Sequence, residues 1–487
     1  MNAVRPAGTT LLRAERAVDV TTTLHDAWIC IDGDSIVAIG EGSGAPQADT
    51  VIDLGDATLA PGFIDLHSHG GGGGAYDNGA DEILAALRMH RQHGTTRSVL
   101  SLVANPLTDL ARSLTTIRDI MSDDQAVLGA HLEGPFLSPA NHGAHEPRHL
   151  LHPTAEHVEE VLRIGTGVVR QITIAPELPG ALEAIRRFAD AGIVVGVGHT
   201  LADARITQAA FDAGATLLTH AFNAMPAVHH RAPGPIPTAV ADTRIRMELI
   251  LDAIHVHPSV ARLLFAAAPD RVALITDAMA ATGSPDGAYQ LGSITADVVH
   301  GIARVRGTET IAGSTLTQDQ ALRRAIDDIN LPVQAAIGAL TATPAAVLGL
   351  QHRVGSLAPG FAADILALSP TLDVTHVWTA GTPVAATSRA GPKRSWPRAA
   401  RTAASRSGVV FVGIRWGRLD RSNNPAAPSA RNRRTHRWAH WRETPSSFAT
   451  CATGRASSTT RATSSRRPCK VNRALAWDTE ASWQWQN

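Results

Sequence analysis

Short apolar runs alternate with stretches of helical period through most of this chain. "FIDLH", "TTRSVLSLV", "AVLGAHLEG", "RQITIAPE", "IVVGVGHT", "ATLLTHAFNA", "RIRMELILDAIHV" and "RVALITDAM" are eight such runs, the pattern of strands buried on both faces of a parallel sheet. Between them, residues 81–93, 154–163 and 178–191 carry apolar positions at helical spacing. Eight strand-and-helix units predict an α/β chain folded as a (β/α)8 TIM-like barrel, with any active site at the C-terminal ends of the strands.

The flanks have a different rhythm. "AWICIDGDSIVAIGEG" reads as two short strands joined at Asp32-Gly33, and "VGSLAPGFAADILALSP" with "VTHVWTAGTPV" supplies further short strands between glycine and proline turns. Together they predict a small β-sandwich domain built from both ends of the body. The expected boundaries are residues 1–59 and 346–387 for the small domain, 60–345 for the barrel, and 388–487 for an extension.

Composition changes the picture mainly at that extension. The 487 residues hold 44 basic and 44 acidic side chains, enough chain for a large core. From Ser388 onward, however, lie 20 of the Lys and Arg but only 4 of the Asp and Glu, with 7 of the 9 Trp and little apolar periodicity. This reads as a basic segment of low order, outside the domains that precede it. Cys30, Cys451 and Cys469 form no disulfide or metal spacing, no run approaches a membrane span, and no secretory leader is visible. A cytoplasmic protein with neither membrane nor nucleic-acid partner is expected, a nucleic-acid arm being the weaker reading of the basic segment.

The strand ends carry the candidate chemistry. Strand one ends in His67 and His69, strand three in Glu133, strand five in His199, strand six in His220 and strand eight in Asp277. In extended chain, residues two apart point the same way, so His67 and His69 converge. A lone strand-end histidine is more often a hydrogen-bonded structural residue than a ligand. Four imidazoles and two carboxylates at one barrel rim are a donor set for Zn²⁺ or a similar divalent ion. The only lysines are Lys393 and Lys470, so no barrel lysine can bridge metals, and Glu133 is left as the principal carboxylate. The glycine run at residues 70–74 reads as a mobile loop that lets backbone pass close to metal and substrate.

The order "PGFIDLHSHG", "HLEGPFLSPANHGAHEP", "VGHT", "THAFNAMPAVHHRAPG", "ILDAIHV", "TDAMAATG" and "IAGSTLT" resembles the N-acetylglucosamine-6-phosphate deacetylase family of the amidohydrolase superfamily, over about residues 10–384. The resemblance implies metal-dependent hydrolysis of the acetamide of N-acetyl-D-glucosamine 6-phosphate to D-glucosamine 6-phosphate and acetate, in amino-sugar catabolism and cell-wall sugar recycling. It implies Glu133, His199 and His220 as main metal ligands, His67 and His69 as a pair permitting a second ion, and Asp277 as the catalytic aspartate. It also implies Ala144, His145, Asn223, Ala224, Arg231, His255, Ile311, Ala312 and Gly313 as substrate contacts. His255 would sit near the acetyl carbonyl as a catalytic donor, and Arg231 would clamp the phosphate, a site commonly completed across a homodimer. A surface basic cluster would look the same as "HHR" in isolation. Rival readings are another amidohydrolase activity on a different N-acyl sugar or amide, or a non-catalytic barrel scaffold. The missing barrel lysine argues against the cyclic-amide branch, and "HLEGP" with "HAFNAM" against deaminases.

Overall fold

The eight apolar runs fold as eight parallel strands: Phe63–Ser68, Thr95–Leu102, Val127–Glu133, Val169–Ile174, Val194–Val197, Leu217–Leu218, Arg246–Ile250 and Val272–Ile275, hydrogen-bonded in that order. The structure, a computed structural model, describes residues 8–384, so the expected extension and residues 385–387 lie outside the described residues. Every residue of Thr95–Leu102 is buried, as expected of a strand covered on both faces. Strands one and eight meet just beyond their ends, where the Asp277 N–H donates to His67 O at 2.8 Å and Ser68 bridges Ala278 in parallel. Inside that seam Asp65 accepts from Thr276 Oγ1 at 2.6 Å. Burial pushes the Asp65 carboxyl up to about 6 against the pull of these hydrogen bonds.

Helices fill the crossovers because their apolar residues recur on one side. In Ala181–Asp190 the buried positions are Ala181, Ala184, Ile185 and Phe188, one stripe at spacings of three and four. Thr154 caps Ala155–Gly165 through His157 N, and Asp203 caps Ala204–Asp212 through Ile206 N at 2.7 Å. The helices expected at 81–93, 154–163 and 178–191 correspond to Ala80–Gln92, Ala155–Gly165 and Ala181–Asp190. Among the described residues, no helix is long and apolar enough to cross a membrane.

Both ends of the body contribute to one eight-stranded mixed sheet, running from Thr382–Pro383 through Val374–Thr379, Ile365–Leu368, Thr58–Pro61, Thr9–Val18 and Thr23–Asp32 to Ser35–Glu41, with Thr50–Asp53 beside Thr9–Val18. Strands from both flanks thus hydrogen-bond into one sheet, with Thr50–Asp53 alone lying off its main path. Strand alternation gives it two cores: Leu59, Ile365, Ala367 and Trp378 pack into its own cluster, whereas Ala60, Leu366, Leu368 and Val377 join the barrel core.

Two features depart from the sequence reading. Between strand eight and the helix Gln318–Asp327 the chain inserts a three-stranded antiparallel sheet, Gly287–Leu291, Ile294–Val299 and Ile302–Val305, whose inner face packs Leu291, Ala296 and Val298 against Val103 and Met279. The glycine run leaves the site at His69 but is not an open loop. Gly70–Gly71 pairs with Gly74–Ala75 in a tight hairpin against the helix Ala80–Gln92, with His90 Nε2 donating to Gly70 O at 2.9 Å. Glycine is required by contact: a Cβ on Gly70 would lie 2.3 Å from Gly74 O.

Candidate active site

The C-terminal strand ends place six donors around one point. His220 Nε2 lies 3.0 Å and His199 Nε2 3.1 Å from Glu133 Oε1, and these two ring nitrogens are 3.0 Å apart. On the other side of Glu133, His69 Nε2 is 3.1 Å from Oε2 and His67 Nε2 is 3.4 Å from Oε1. Asp277 Oδ1 completes the group, 3.3 Å from His69 Nε2 and 3.6 Å from His67 Nε2. All six residues are buried. His199, His220 and Asp277 adopt left-handed backbone, with φ of 47°, 27° and 49°, and such strain at non-glycine residues costs of order 1 kcal/mol or more each. Packing around the rim holds these turns, and they direct the three side chains inward.

Partners on the outer ring nitrogens prepare the imidazoles. His199 Nδ1 donates to Asn141 O at 2.9 Å, and His67 Nδ1 donates to Glu248 Oε2 at 3.1 Å, so each presents an Nε2 lone pair to the centre. His145 is oriented the opposite way. It lies within ligand distance of Glu133 and His199, but the Ala104 N–H donates to its Nδ1 at 3.2 Å. Its proton therefore sits on Nε2, 3.3 Å from Glu133 Oε2, which makes His145 a donor rather than a ligand.

The electrostatics ask for a cation. Burial alone would raise the Glu133 carboxyl, but the imidazoles of His67, His145 and His199 hold it well below its ordinary value. Asp277 is likewise held down, against burial, by His67 and His69. Burial would discharge His69, yet Asp277 and Glu133 raise it to about 9. Burial and the neighbouring imidazoles carry His199 down to about 4, while Glu133 pulls the other way. Two buried carboxylates thus hold positive charge in their midst, and clustered Nε2 atoms 3.0–3.2 Å apart cannot all be satisfied by one another. The residues fit a divalent ion: His67, His69 and Glu133 form one group whose ligand atoms converge, and Glu133 with His199 and His220 a second.

Beside this centre a cavity of about 510 Å³ opens, lined by His69, Glu133, His199, His220 and Asp277 together with Ala144, His145, Asn223, Ala224, His255, Ile311 and Gly313. Asp252 Oδ2 accepts from His255 Nδ1 at 2.7 Å. Burial works against the His255 charge, but this hydrogen bond and the charges of Asp252 and Asp277 raise it above its ordinary value. Two of the expected contacts stand elsewhere. Ala312 is buried in the cluster under the inserted sheet, and Arg231 is exposed, with Nη1 2.7 Å from His230 Nε2.

The sequence model of the amidohydrolase family matches residues 58–384. The chain belongs to the amidohydrolase family. This amidohydrolase is 35% identical over 377 residues to N-acetylgalactosamine-6-phosphate deacetylase of Escherichia coli O157:H7, covering 77% of the chain and 98% of that protein. It is 35% identical over 374 residues to N-acetylglucosamine-6-phosphate deacetylase of Vibrio furnissii, covering 76% and 93%. Among solved structures it resembles an aspartate-to-alanine variant of N-acetyl-D-glucosamine-6-phosphate deacetylase from Mycobacterium smegmatis in complex with N-acetyl-D-glucosamine-6-phosphate. There the identity is 43% and the TM-score 0.74, covering 78% of this chain and all of that one.

Several residues that shape the amidohydrolase site escaped the reading of strand ends. Asn141, His142 and Gly143 line the cavity from the loop after strand three, and Leu291, Glu309 and Thr310 from the inserted sheet and the segment after it. Glu248, Asp65 and His131 lie fully buried inside the barrel. Each interrupts an apolar run, in "RMELI", "FIDLH" and "LGAHLEG", and that interruption was the available signal.

Proposed function

We propose that this amidohydrolase removes the acetyl group from an N-acetylhexosamine 6-phosphate, N-acetyl-D-glucosamine 6-phosphate being the expected substrate, in the cytoplasm and as a homodimer. One observation carries the reading: Asp277 stands at the junction of the histidine–carboxylate centre and a cavity of about 510 Å³, large enough for a phosphorylated sugar. A bound divalent ion, for which Zn²⁺ suits the donor set, supplies the positive charge that polarises an amide carbonyl and acidifies water.

The chain's own groups do the rest. Asp277, kept ionised by His67 and His69, takes one proton of the attacking water and returns it to the leaving nitrogen, so that a neutral amine separates from acetic acid, which then ionises to acetate by losing its proton to solvent. His255, whose hold on a proton is strengthened by Asp252, is in its protonated form a donor for the carbonyl oxygen as negative charge develops there. His145 offers its Nε2–H to the same region. The phosphate needs a cation, yet no Lys or Arg lines the cavity among the described residues. Arg231, exposed and without a carboxylate partner among the described residues, supplies that cation to the site of a second copy of the chain.

The test is amine release by the purified chain from the 6-phosphates of N-acetylglucosamine and N-acetylgalactosamine and from unphosphorylated N-acetylglucosamine. Each is assayed before and after chelation and Zn²⁺ return. Metal-dependent turnover favouring the phosphorylated glucosamine derivative is expected. Preference for the galactosamine epimer would reassign the substrate toward that of the Escherichia coli relative. No turnover of any of the three by folded, metal-loaded protein defeats the reading.

A further inference from the structure

Glu248 belongs to the seventh barrel strand, Arg246–Ile250, and is fully buried, yet the proposed chemistry gives it no part. Its Oε2 accepts from His67 Nδ1 at 3.1 Å and from the His220 backbone N–H at 3.3 Å, and its Oε1 accepts from Gln171 Nε2 at 2.8 Å. No Lys or Arg ion-pairs with it among the described residues. Evolving a buried carboxylate here, when an apolar side chain would pack without desolvation cost, calls for a task that only an acceptor can perform.

That task lies in the choice between the two neutral forms of His67. With the proton on Nδ1, donated to Glu248, the Nε2 lone pair faces His69 Nε2 at 3.2 Å and Glu133 Oε1 at 3.4 Å. With the proton on Nε2, the ring would direct a lone pair at the carboxylate and a proton into the centre, and could not ligate there. His69 has no corresponding support, since its Nδ1 is buried without a hydrogen-bond partner. We propose that Glu248 is a positioning residue that fixes His67 in its Nδ1–H form, and that the metal position formed by His67, His69 and Glu133 depends on it. At the position formed by Glu133, His199 and His220, His199 takes its tautomer from Asn141 O, and Glu248 reaches His220 only at its backbone N–H, so no imidazole of that position owes its tautomer to Glu248. The proposal rests on the metal-centre reading above, but its test needs no substrate and no turnover.

Glu248→Gln is a selective probe because the pocket can accommodate it. The amide oxygen can occupy the place of Oε2 and still accept from His67 and His220. The new amide N–H then faces Gln171, whose Oε1 is buried without a partner and becomes an acceptor after a flip of that side chain. Shape and hydrogen bonds are kept while the negative charge is lost, and with it the part of the positioning role by which a carboxylate behind Nδ1–H makes the Nε2 lone pair of His67 a stronger ligand.

The full chain, stripped by chelation, is titrated with Zn²⁺ as wild type, H67A, E248Q and E248L, and the histidine ring nitrogens of the Zn²⁺-loaded protein are followed by ¹⁵N NMR. The Zn²⁺ equivalent abolished in H67A marks the strand-one position. The wild-type spectrum should report His67 as Nδ1–H. E248Q should keep that form but weaken the strand-one position about tenfold, and E248L, where it folds, about a hundredfold, with the other equivalent unchanged. E248Q alone decides if E248L does not fold. The proposal is overturned by an Nε2–H form of His67 in the wild type, or by a single equivalent that H67A leaves intact. Unchanged strand-one affinity in E248Q overturns it too, as does an equal loss at both positions. Failure to deacetylate any sugar, with these metal results intact, would sink the functional reading and leave this one standing.

Discussion

Asp277 and His255 occupy the same cavity but owe their protonation to different neighbours, and the two can be separated experimentally. Asp277 stays ionised, against burial, because His67 and His69 face it. Replacing it with Asn keeps the shape and removes the proposed proton carrier, so D277N should lower kcat by about 10²- to 10⁴-fold while KM changes little. Steady-state kinetics at saturating Zn²⁺ measures this, and an equal loss confined to KM would assign Asp277 to binding instead. His255 is raised against burial by the Asp252 hydrogen bond at 2.7 Å and by the charges of Asp252 and Asp277. Removing the Asp252 charge in D252N lets burial lower the His255 pKa, so the protonated donor is lost at lower pH. The alkaline limb of the kcat/KM profile should therefore move toward acid, and a limb that does not move would remove His255 from the ionisations that govern the rate. The candidate ligands and Asp277 were legible as one cluster because they punctuate strand ends. Glu248 was not, because its contact is with His67 and sequence spacing does not pair residues 181 positions apart, whereas Asp252, three residues before His255, lay within reach of the sequence and was passed over.

At the scale of elements, the eight barrel strands were legible because strands buried on both faces must be apolar throughout, and the helices because their stripes repeat at the helical period. Even Leu217–Leu218, reduced to two residues, was visible through the apolar run around it. The inserted sheet was not, since Gly287–Leu291 has a single fully buried residue and its strands lie at an exposed rim. The glycine run misled for a physical reason: glycine signals backbone freedom and close packing alike, and here packing decides. The two glycines of its first strand should respond differently to alanine. In G70A the new Cβ meets the backbone oxygen of Gly74 at 2.3 Å, whereas in G71A the nearest atom, at 2.2 Å, is the terminal methyl of Met89, which can swing away. G70A should cost about 1–3 kcal/mol and G71A less, read as midpoints of denaturant unfolding. The reverse order would mean that the hairpin yields more easily than the helix that bears Met89.

At the scale of the whole molecule, the site closes chemically only if a cation reaches the phosphate. The cavity of one chain supplies imidazoles, carboxylates and backbone but no Lys or Arg among the described residues, while Arg231 of the same chain stands exposed. A homodimer in which each chain lends Arg231 to the other resolves both facts, and a two-fold axis would make the loan reciprocal. Reciprocity yields a result that a single-chain site cannot. R231A and D277N should each be nearly inactive as pure dimers, R231A through a raised KM for the phosphorylated sugar and D277N through kcat. When the two are unfolded together and refolded, half of the dimers are mixed. In each mixed dimer the R231A chain keeps its own Asp277 and receives Arg231 from its partner, so one of its two sites is whole. Activity should return to roughly a quarter of the wild-type rate for the same total protein. If Arg231 served the cavity of its own chain, both sites of a mixed dimer would remain defective and mixing would restore nothing. Mixing before and after refolding separates the cases without a further structure, because variants combined only as folded dimers recover activity no faster than subunits exchange.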